Sequence, residues 1–372
     1  MTFLFVSFTV LFAIALLQYY NVELVLFESH SASSFSFLRI GRRRCSVPEP
    51  TSLVPASGAA GALVLPPDVA MQFASSNESS LAVRFTLALP LVVGEPAAVG
   101  ETFLRRGFHQ PIASMLLKLA LHQLPPNATV IDVGSGTGYF AALAAASGVP
   151  NVVLFDANPS LWPFLRTTGF ANGWHGSTRW LLHEAGVSSA SGDSIELFVP
   201  RRRWLLARPY ALEDDQSFVP PPDTLVRVRG VAIDDVVPST SAVAMLVVDA
   251  ENSELQVLSG AARLLARCGV RDILLLRLRL SGDVFAKLRG VLALVNRCGY
   301  RGFTFDERKD ARGVPTTRDQ PGKWMRALRN VQPWLPGAEW PAPQSLWLHI
   351  PASDEERAAM PNQLPESAVA SL

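Results

Sequence analysis

The stretch Val130-Ile131-Asp132-Val133-Gly134-Ser135-Gly136-Thr137-Gly138-Tyr139-Phe140 decides the fold. A β-branched run interrupted only by Asp132 leads into three alternating glycines. An Ala-rich run from Thr137 to Ser147 follows and is closed by Gly148. This reads as a buried strand that turns through a glycine loop into a helix. Glycines let such a loop turn tightly and bring its backbone against a ligand. The spacing narrows the ligand. A dinucleotide loop is Gly-x-Gly-x-x-Gly, and here the last position is Tyr139. No Gly-Lys-Ser/Thr follows, so a P-loop is excluded. The Gly-x-Gly-x-Gly spacing suits a ligand without a pyrophosphate.

Outward from this loop, short apolar runs alternate with helical patterns. Val152–Asp156 reads as a strand and Pro159–Phe170 as a helix with Pro near its first turn. Trp180–Glu184, Ile195–Val199, Thr224–Arg229 and Ala244–Asp249 read as further strands. Ser253–Cys268 reads as a helix with Leu255, Leu258, Ala262 and Leu265 on one face. Ile273–Leu278, Gly302–Phe305 and Ser345–Ile350 complete the strands, and Asp283–Arg297 reads as a helix. Strands alternating with helices of this length predict an α/β fold: a doubly wound, mostly parallel sheet in a single main domain. The glycine loop then lies at the carboxyl edge of the sheet, where ligands bind in this architecture. Two irregular excursions, Pro200–Asp223 and Asp306–Pro343, are candidates for loops that shape a pocket.

Composition bounds the function. The chain has 372 residues, 49% hydrophobic and 17% charged, with 33 basic and 32 acidic residues and a formal net charge of +1. That balance argues against a nucleic-acid partner held by phosphate neutralisation. Three cysteines exclude a disulfide framework or a Cys-rich zinc module. Cys268 and Cys298 each sit in an Arg-Cys-Gly triplet at an expected helix end. They are either two small buried residues or a disulfide that leaves Cys45 over. No His/Cys/Asp cluster has metal-ligand spacing, so no metal is expected.

The mean hydropathy, +0.22, is high, and the N-terminus explains part of it. Phe3 to Leu17 is apolar except for Ser7 and Thr9, and the run resumes to Phe27. Residues 1–28 are read as a signal-anchor or a cleaved signal peptide. Residues 29–80, Ser-rich and then Pro-, Ala- and Gly-rich, are read as a largely disordered linker. Residues 81–350 form the main domain and 351–372 a polar tail. The expectation is a single-pass membrane protein leaning to the secretory pathway (ER or Golgi), or a secreted one if the segment is cleaved. Arg39, Arg42, Arg43 and Arg44 follow the segment and leave its orientation open. Two sequons, at Asn77 and Asn127, lend slight support to a lumenal domain.

The glycine loop resembles the first motif of class I S-adenosylmethionine-dependent methyltransferases. Four ordered segments are similar to those of the FkbM methyltransferase family. They are Ile131–Phe140; Phe155-Asp156-Ala157-Asn158-Pro159; Ile233-Asp234-Asp235-Val236; and Val247-Val248-Asp249-Ala250-Glu251-Asn252 continuing to Ala261. His183-Glu184-Ala185-Gly186-Val187-Ser188 resembles the segment after that family's third strand. Departures are Val247 for a Lys, Asn252 for a Gly and Ala157 for a Pro, and the strand containing Arg277 often carries a Glu in the family.

The resemblance implies a Rossmann-like methyltransferase domain that binds S-adenosylmethionine through Asp132, Gly134, Ser135, Gly136, Gly138, Asp156, Asn158 and Ala185. It implies transfer of the methyl to an oxygen of a sugar or small molecule. The reacting hydroxyl must lose a proton, and Asp249, with Glu251 beside it, is the candidate base. Structural alternatives stand beside these roles. Asp156 could cap the helix before Pro159, Asp132 could hold loop amides, and Asp249 and Glu251 could cap the helix after Asn252. His109 and His183 are weaker candidate bases. The competing expectation is a degenerate relative that serves as a binding or interaction module.

Overall fold

A computed structural model describes residues 22–24, 40–42, 69–76, 83–92, 103, 108–122, 124–175, 179–199, 207–209, 224–278, 297–306, 332–334 and 344–351. Contacts divide the chain into two units, residues 1–63 and 64–372. In the first, β1 (Val22–Leu24) pairs antiparallel with β2 (Ile40–Arg42). The rest of the expected membrane segment lies outside the described residues. Among the described residues, no helix is long and apolar enough to cross a membrane.

The second unit opens with a hairpin of β3 (Val69–Ser75) and β4 (Thr86–Val92). β3 lies inside residues 29–80, the stretch read as a linker, most of which is outside the described residues. The Pro-, Ala- and Gly-rich stretch before it and Ser76-Asn77-Glu78-Ser79-Ser80 after it hid a seven-residue strand. Then come α1 (Pro111–Ala120), β5 (Ala128–Val133), α2 (Tyr139–Ala146), β6 (Asn151–Phe155), α3 (Trp162–Ala171), β7 (Leu181–His183) and β8 (Gly186–Val187). They are followed by β9 (Ser194–Phe198), β10 (Arg208–Pro209), β11 (Leu225–Val231), α4 (Ile233–Val236), β12 (Ala242–Val248), α5 (Glu254–Gly260) and α6 (Ala262–Ala266). The last strands are β13 (Val270–Leu278), β14 (Arg301–Phe305), β15 (Gln332–Trp334) and β16 (Gln344–His349). The helix expected over Asp283–Arg297, most of both excursions and nearly all of the tail lie outside the described residues.

The main sheet has eight strands in the order β15-β14-β16-β13-β12-β5-β6-β7. The five strands from β13 to β7 are mutually parallel. β16 runs antiparallel to both β13 and β14, so β14 shares the direction of the parallel strands. The expected α/β class with a mostly parallel sheet is therefore present. One part of the strand assignment differs. β9 and β11 pair antiparallel in a separate four-stranded sheet with β10 and β8, and do not extend the main one.

Both faces of the main sheet are covered, and this is why its strands are apolar throughout. One face presents Val130, Val152, Leu154, Met245, Val247, Leu274, Leu276 and Trp347 to a core shared with α1, α2 and the hairpin. The other presents Ile131, Val133, Val153, Leu246, Val248, Ile273, Leu275 and Leu348 to a core shared with α5 and α6. Residues Tyr139 to Ala145 of α2 are all buried, which an Ala-rich helix tolerates because it has no polar side to expose.

Polar contacts fix the pieces. Asn172 and Thr168, from the end of α3, act as a pseudo-strand for β4. The Thr86 amide donates to Asn172 Oδ1 (2.9 Å), Asn172 Nδ2 donates to the Thr86 carbonyl (2.7 Å), and the Ala88 amide donates to Thr168 Oγ1 (3.0 Å). Asp272, fully buried in β13, accepts from Trp347 Nε1 (2.9 Å) and pairs with His349 Nδ1 (2.7 Å) on β16 and with Arg271 Nε (2.9 Å). A buried carboxylate needs such partners, and only one register of β16 supplies two of them.

Cys268 and Cys298, separated by 30 positions in sequence, form a disulfide with Cα atoms 5.4 Å apart. Closing a loop of that length stabilises the fold by about 3–4 kcal/mol in the chain-entropy model.

The helix expected over Ser253–Cys268 is broken at Ala261 into α5 and α6. A Cβ placed on Gly260 would lie 2.2 Å from the Ser188 carbonyl oxygen, so β8's loop touches the helix backbone there. Gly260→Ala should therefore lower the unfolding free energy by about 1–3 kcal/mol, the usual range for forcing an extra carbon into packed space. Chemical denaturation measures this, and an unchanged midpoint would contradict the close approach.

Candidate functional site

The loop Gly134–Gly138 connects the carboxyl end of β5 to α2. All three glycines are left-handed, with φ of 73° at Gly134, 57° at Gly136 and 79° at Gly138. Two of them also lack room for a side chain. A Cβ on Gly134 would lie 2.2 Å from the Asp249 carbonyl oxygen, and one on Gly138 would lie 2.9 Å from Leu165 Cδ2. Gly136 differs: a Cβ there would meet only the Gly134 carbonyl, at 3.9 Å. Packing leaves open space in front of Gly136.

The loop is held from behind. The amides of Gly134 (2.9 Å) and Ser135 (3.1 Å) both donate to the Phe155 carbonyl at the end of β6. Ser135 Oγ donates to the Asp132 carbonyl (2.9 Å). Asp132 accepts the Ala141 amide (3.2 Å) in the first turn of α2. The alternative that Asp132 holds amides therefore describes its contact. Burial raises the Asp132 carboxyl to about 7, against that amide bond.

Asp156, next after β6, accepts the Gly136 amide on Oδ2 (2.7 Å) and the Asn158 amide on Oδ1 (2.8 Å). Each oxygen keeps a further lone pair. Burial raises this carboxyl to about 6, opposed by the two amides. Asn158 has a turn-forming role, since its Oδ1 accepts the Ser160 amide (3.1 Å) ahead of α3. Ala185 is buried in the turn between β7 and β8, its amide donating to the His183 carbonyl (2.9 Å). Its neighbour Gly186 lies against Ala157, which brings that turn to the same sheet edge: a Cβ there would be 3.1 Å from Ala157 Cβ.

Asp249 extends β12 by one residue. Its amide donates to the Val133 carbonyl (2.9 Å), so it flanks the glycine loop. Its Oδ1 pairs with Arg277 Nε (2.8 Å) and Nη2 (2.7 Å), and Glu251 Oε1 pairs with Arg277 Nη1 (2.7 Å). One guanidinium from β13 thus spans both candidate catalytic carboxylates. Burial raises the Asp249 carboxyl above its ordinary value, although Arg277 opposes this. Burial would lower Arg277, but Asp249 and Glu251 outweigh it and hold the guanidinium charged. Glu251 and Asn252 adopt left-handed backbone, φ 43° and 76°. Asn is among the few non-glycine residues that tolerate this conformation, so Asn252 can replace a glycine with little distortion.

Sequence reasoning gave Arg277 no role in the site, and its position was the available signal: a lone charge inside the apolar run Ile273–Leu278. Glu254 was missed too. It is buried at the start of α5, accepts the Asn252 amide (3.2 Å), and is raised by burial to about 7. His109 approaches from the residues before α1. Its ring packs edge-on to Tyr139 (5.9 Å), Nδ1 is buried without a hydrogen-bond partner, and burial and then Arg277 lower it to about 4. His183 stacks flat on Phe155 (4.8 Å), and burial lowers it. Tyr139, at the position where a dinucleotide loop has its last glycine, is packed among Phe85, Phe103 and Phe140, its hydroxyl 2.8 Å from Ser114 Oγ.

Ile233–Val236 serves packing. Asp234 accepts the amides of Arg263 (2.6 Å) and Leu264 (2.9 Å) at the start of α6, a cap supplied from another segment. A cleft of about 380 Å³ beside it, lined by residues including Asp235, Pro238 and Arg267, lies at the amino edge of β12, away from the glycine loop. Among the described residues no group of three or more His, Cys, Asp or Glu is arranged to hold a metal. Compared with protein-family models and with curated proteins, the chain finds no match.

Glu254 gives a pH prediction. Between its ordinary 4.5 and about 7 the folded chain keeps a proton that the unfolded chain has lost, so its contribution to stability falls as pH rises through that window. Glu254→Gln removes this term. The variant should lose less stability than the parent between pH 5 and pH 8, as measured by denaturation midpoints. Parallel curves would show that Glu254 titrates normally.

Proposed function

We propose that this protein is an S-adenosylmethionine-dependent methyltransferase of the FkbM kind, acting on a hydroxyl of a sugar or small molecule. One observation carries the reading: the left-handed glycine loop, with open space before Gly136, lies beside Asp156 at the carboxyl edge of a doubly wound sheet. A ligand placed there could meet the remaining lone pairs of Asp156, as a ribose does at this position of nucleoside-binding sheets. The strand arrangement supports it further. The usual dinucleotide-binding order, 3-2-1-4-5-6, has no reversed strand, whereas here β16 runs backwards between β13 and β14. The sheet therefore departs from the dinucleotide-binding arrangement, in line with Tyr139 in place of that loop's last glycine.

When bound, S-adenosylmethionine supplies an activated methyl on a sulfonium. The chain's own work is then alignment and proton removal. Asp249, anchored to β5 through its amide, would accept the hydroxyl proton. Arg277 holds that carboxylate in one orientation, and Glu251 shares the guanidinium. The exposed side of Arg277 offers a donor to acceptor oxygens. Tyr139 and its aromatic neighbours wall the loop on the side of α1.

A second reading rests on the same guanidinium. Arg277 occupies both candidate carboxylates, as it would in a relative that binds the nucleoside and transfers nothing. Calorimetry with S-adenosylmethionine and S-adenosylhomocysteine, followed by incubation of candidate glycans with labelled donor, separates the readings. The methyltransferase should bind both nucleosides and label an acceptor. Binding without label would favour the module, and no heat from a folded protein would remove the methyltransferase reading.

Gly136→Val should abolish nucleoside binding while far-ultraviolet circular dichroism stays at the parent value. Retained tight binding would misplace the ligand. Asp249→Asn should lower turnover by roughly 10²-fold or more with the donor still bound. A parent-like rate would exclude Asp249 as the base.

A further inference from the structure

We propose that Asn127 carries an N-linked glycan, attached in the oxidising compartment where the Cys268–Cys298 disulfide forms. Two unrelated features of the domain lead there. The first is the disulfide itself, which joins the end of α6 to the residues before β14. Disulfides persist in the secretory lumen or outside the cell, and are rare where glutathione keeps thiols reduced.

The second is the setting of the Asn127-Ala128-Thr129 sequon. Pro125-Pro126-Asn127-Ala128 forms a tight turn closed by the Ala128 amide on the Pro125 carbonyl (3.0 Å). Proline at the second position and asparagine at the third suit such a turn. Asn127 is exposed, so a glycan there projects into solvent without displacing packed atoms.

Thr129, in contrast, is 5% exposed within β5 and paired with Asn151 of β6. The sequon hydroxyl can be read only before β5 joins the sheet. Attachment therefore accompanies synthesis, and chain already folded is not a substrate. The position also spares the candidate site. Asn127 precedes β5 and the glycine loop follows it, which places the glycan roughly 20 Å away at the opposite sheet edge. This inference does not rest on the proposed methyl transfer.

The test uses the full chain expressed in a eukaryotic cell. Parent, Asn127→Gln and Thr129→Ser are compared by electrophoretic mobility with and without peptide N-glycosidase. Parent and Thr129→Ser, which keeps the sequon, should migrate one glycan step more slowly than Asn127→Gln, and the glycosidase should remove that step. Peptide mapping after alkylation without reduction should recover the Cys268 and Cys298 peptides linked. No mobility step between parent and Asn127→Gln would overturn the modification site. Alkylation of both cysteines would overturn the compartment.

Discussion

The structure depends on the approach of the β5 loop to the end of β12. At Gly134 the backbone comes so near the Asp249 carbonyl that even a methyl side chain would overlap it. The Asp249 amide closes the contact on the Val133 carbonyl. The two central strands therefore end together, and their next residues share one sheet edge. The glycine loop, Asp249 and the Arg277 guanidinium from β13 are neighbours as a consequence. Any side chain at Gly134 would push the glycine loop away from Asp249.

The charge arrangement at that edge has its own logic. Asp132, Asp156, Asp249 and Glu254 are raised by burial, and the bulk cost of their ionisation is offset unevenly. Asp132 and Asp156 rely on backbone amides, which organise the loop and the start of α2. Glu254 has the Asn252 amide, and Asp249 relies on the Arg277 guanidinium, which it shares with Glu251. The amide-bound pair are part of the frame, whereas the Arg-bound pair can exchange partners without unfolding a helix. An acceptor's polar groups could replace part of the Arg277 contact in the way they could not replace the amides of α2. The distinction separates the part of the edge held by backbone amides from the part held by one side chain.

Much of the main sheet was legible because both faces are buried, which makes each strand a short apolar run between polar turns. β5, β6, β12, β13 and β16 stand out for that reason. What was not legible has equally physical causes. β3 has ordinary strand character, but the Pro- and Gly-rich residues before it and the Ser-rich residues after it hide it, and its hairpin is secured by Asn172 and Thr168 some eighty residues away. β9 and β11 have the alternating pattern of strands, and nothing local indicates that they leave the main sheet. The close approach of the Ser188 carbonyl to Gly260, next to the break between α5 and α6, is a contact that no helical periodicity encodes. Arg277 was visible as an odd charge in an apolar strand, yet its partners come from β12 and the turn after it.

The sequence by itself determined the α/β alternation, the position and spacing of the glycine loop, and the acidic residue after the next strand. These follow from local patterns: periodicity of burial, and residues that only certain backbone conformations accept. The tertiary structure alone decided that β16 runs backwards, and its register is fixed by the buried Asp272 and its partners Trp347 and His349. It alone decided that Cys268 and Cys298 are paired, and that Asp249 and Glu251 share one guanidinium. Each of these is a contact between segments distant in the chain. Its existence depends on register and on the space left by neighbouring side chains, and neither quantity is written in a local pattern.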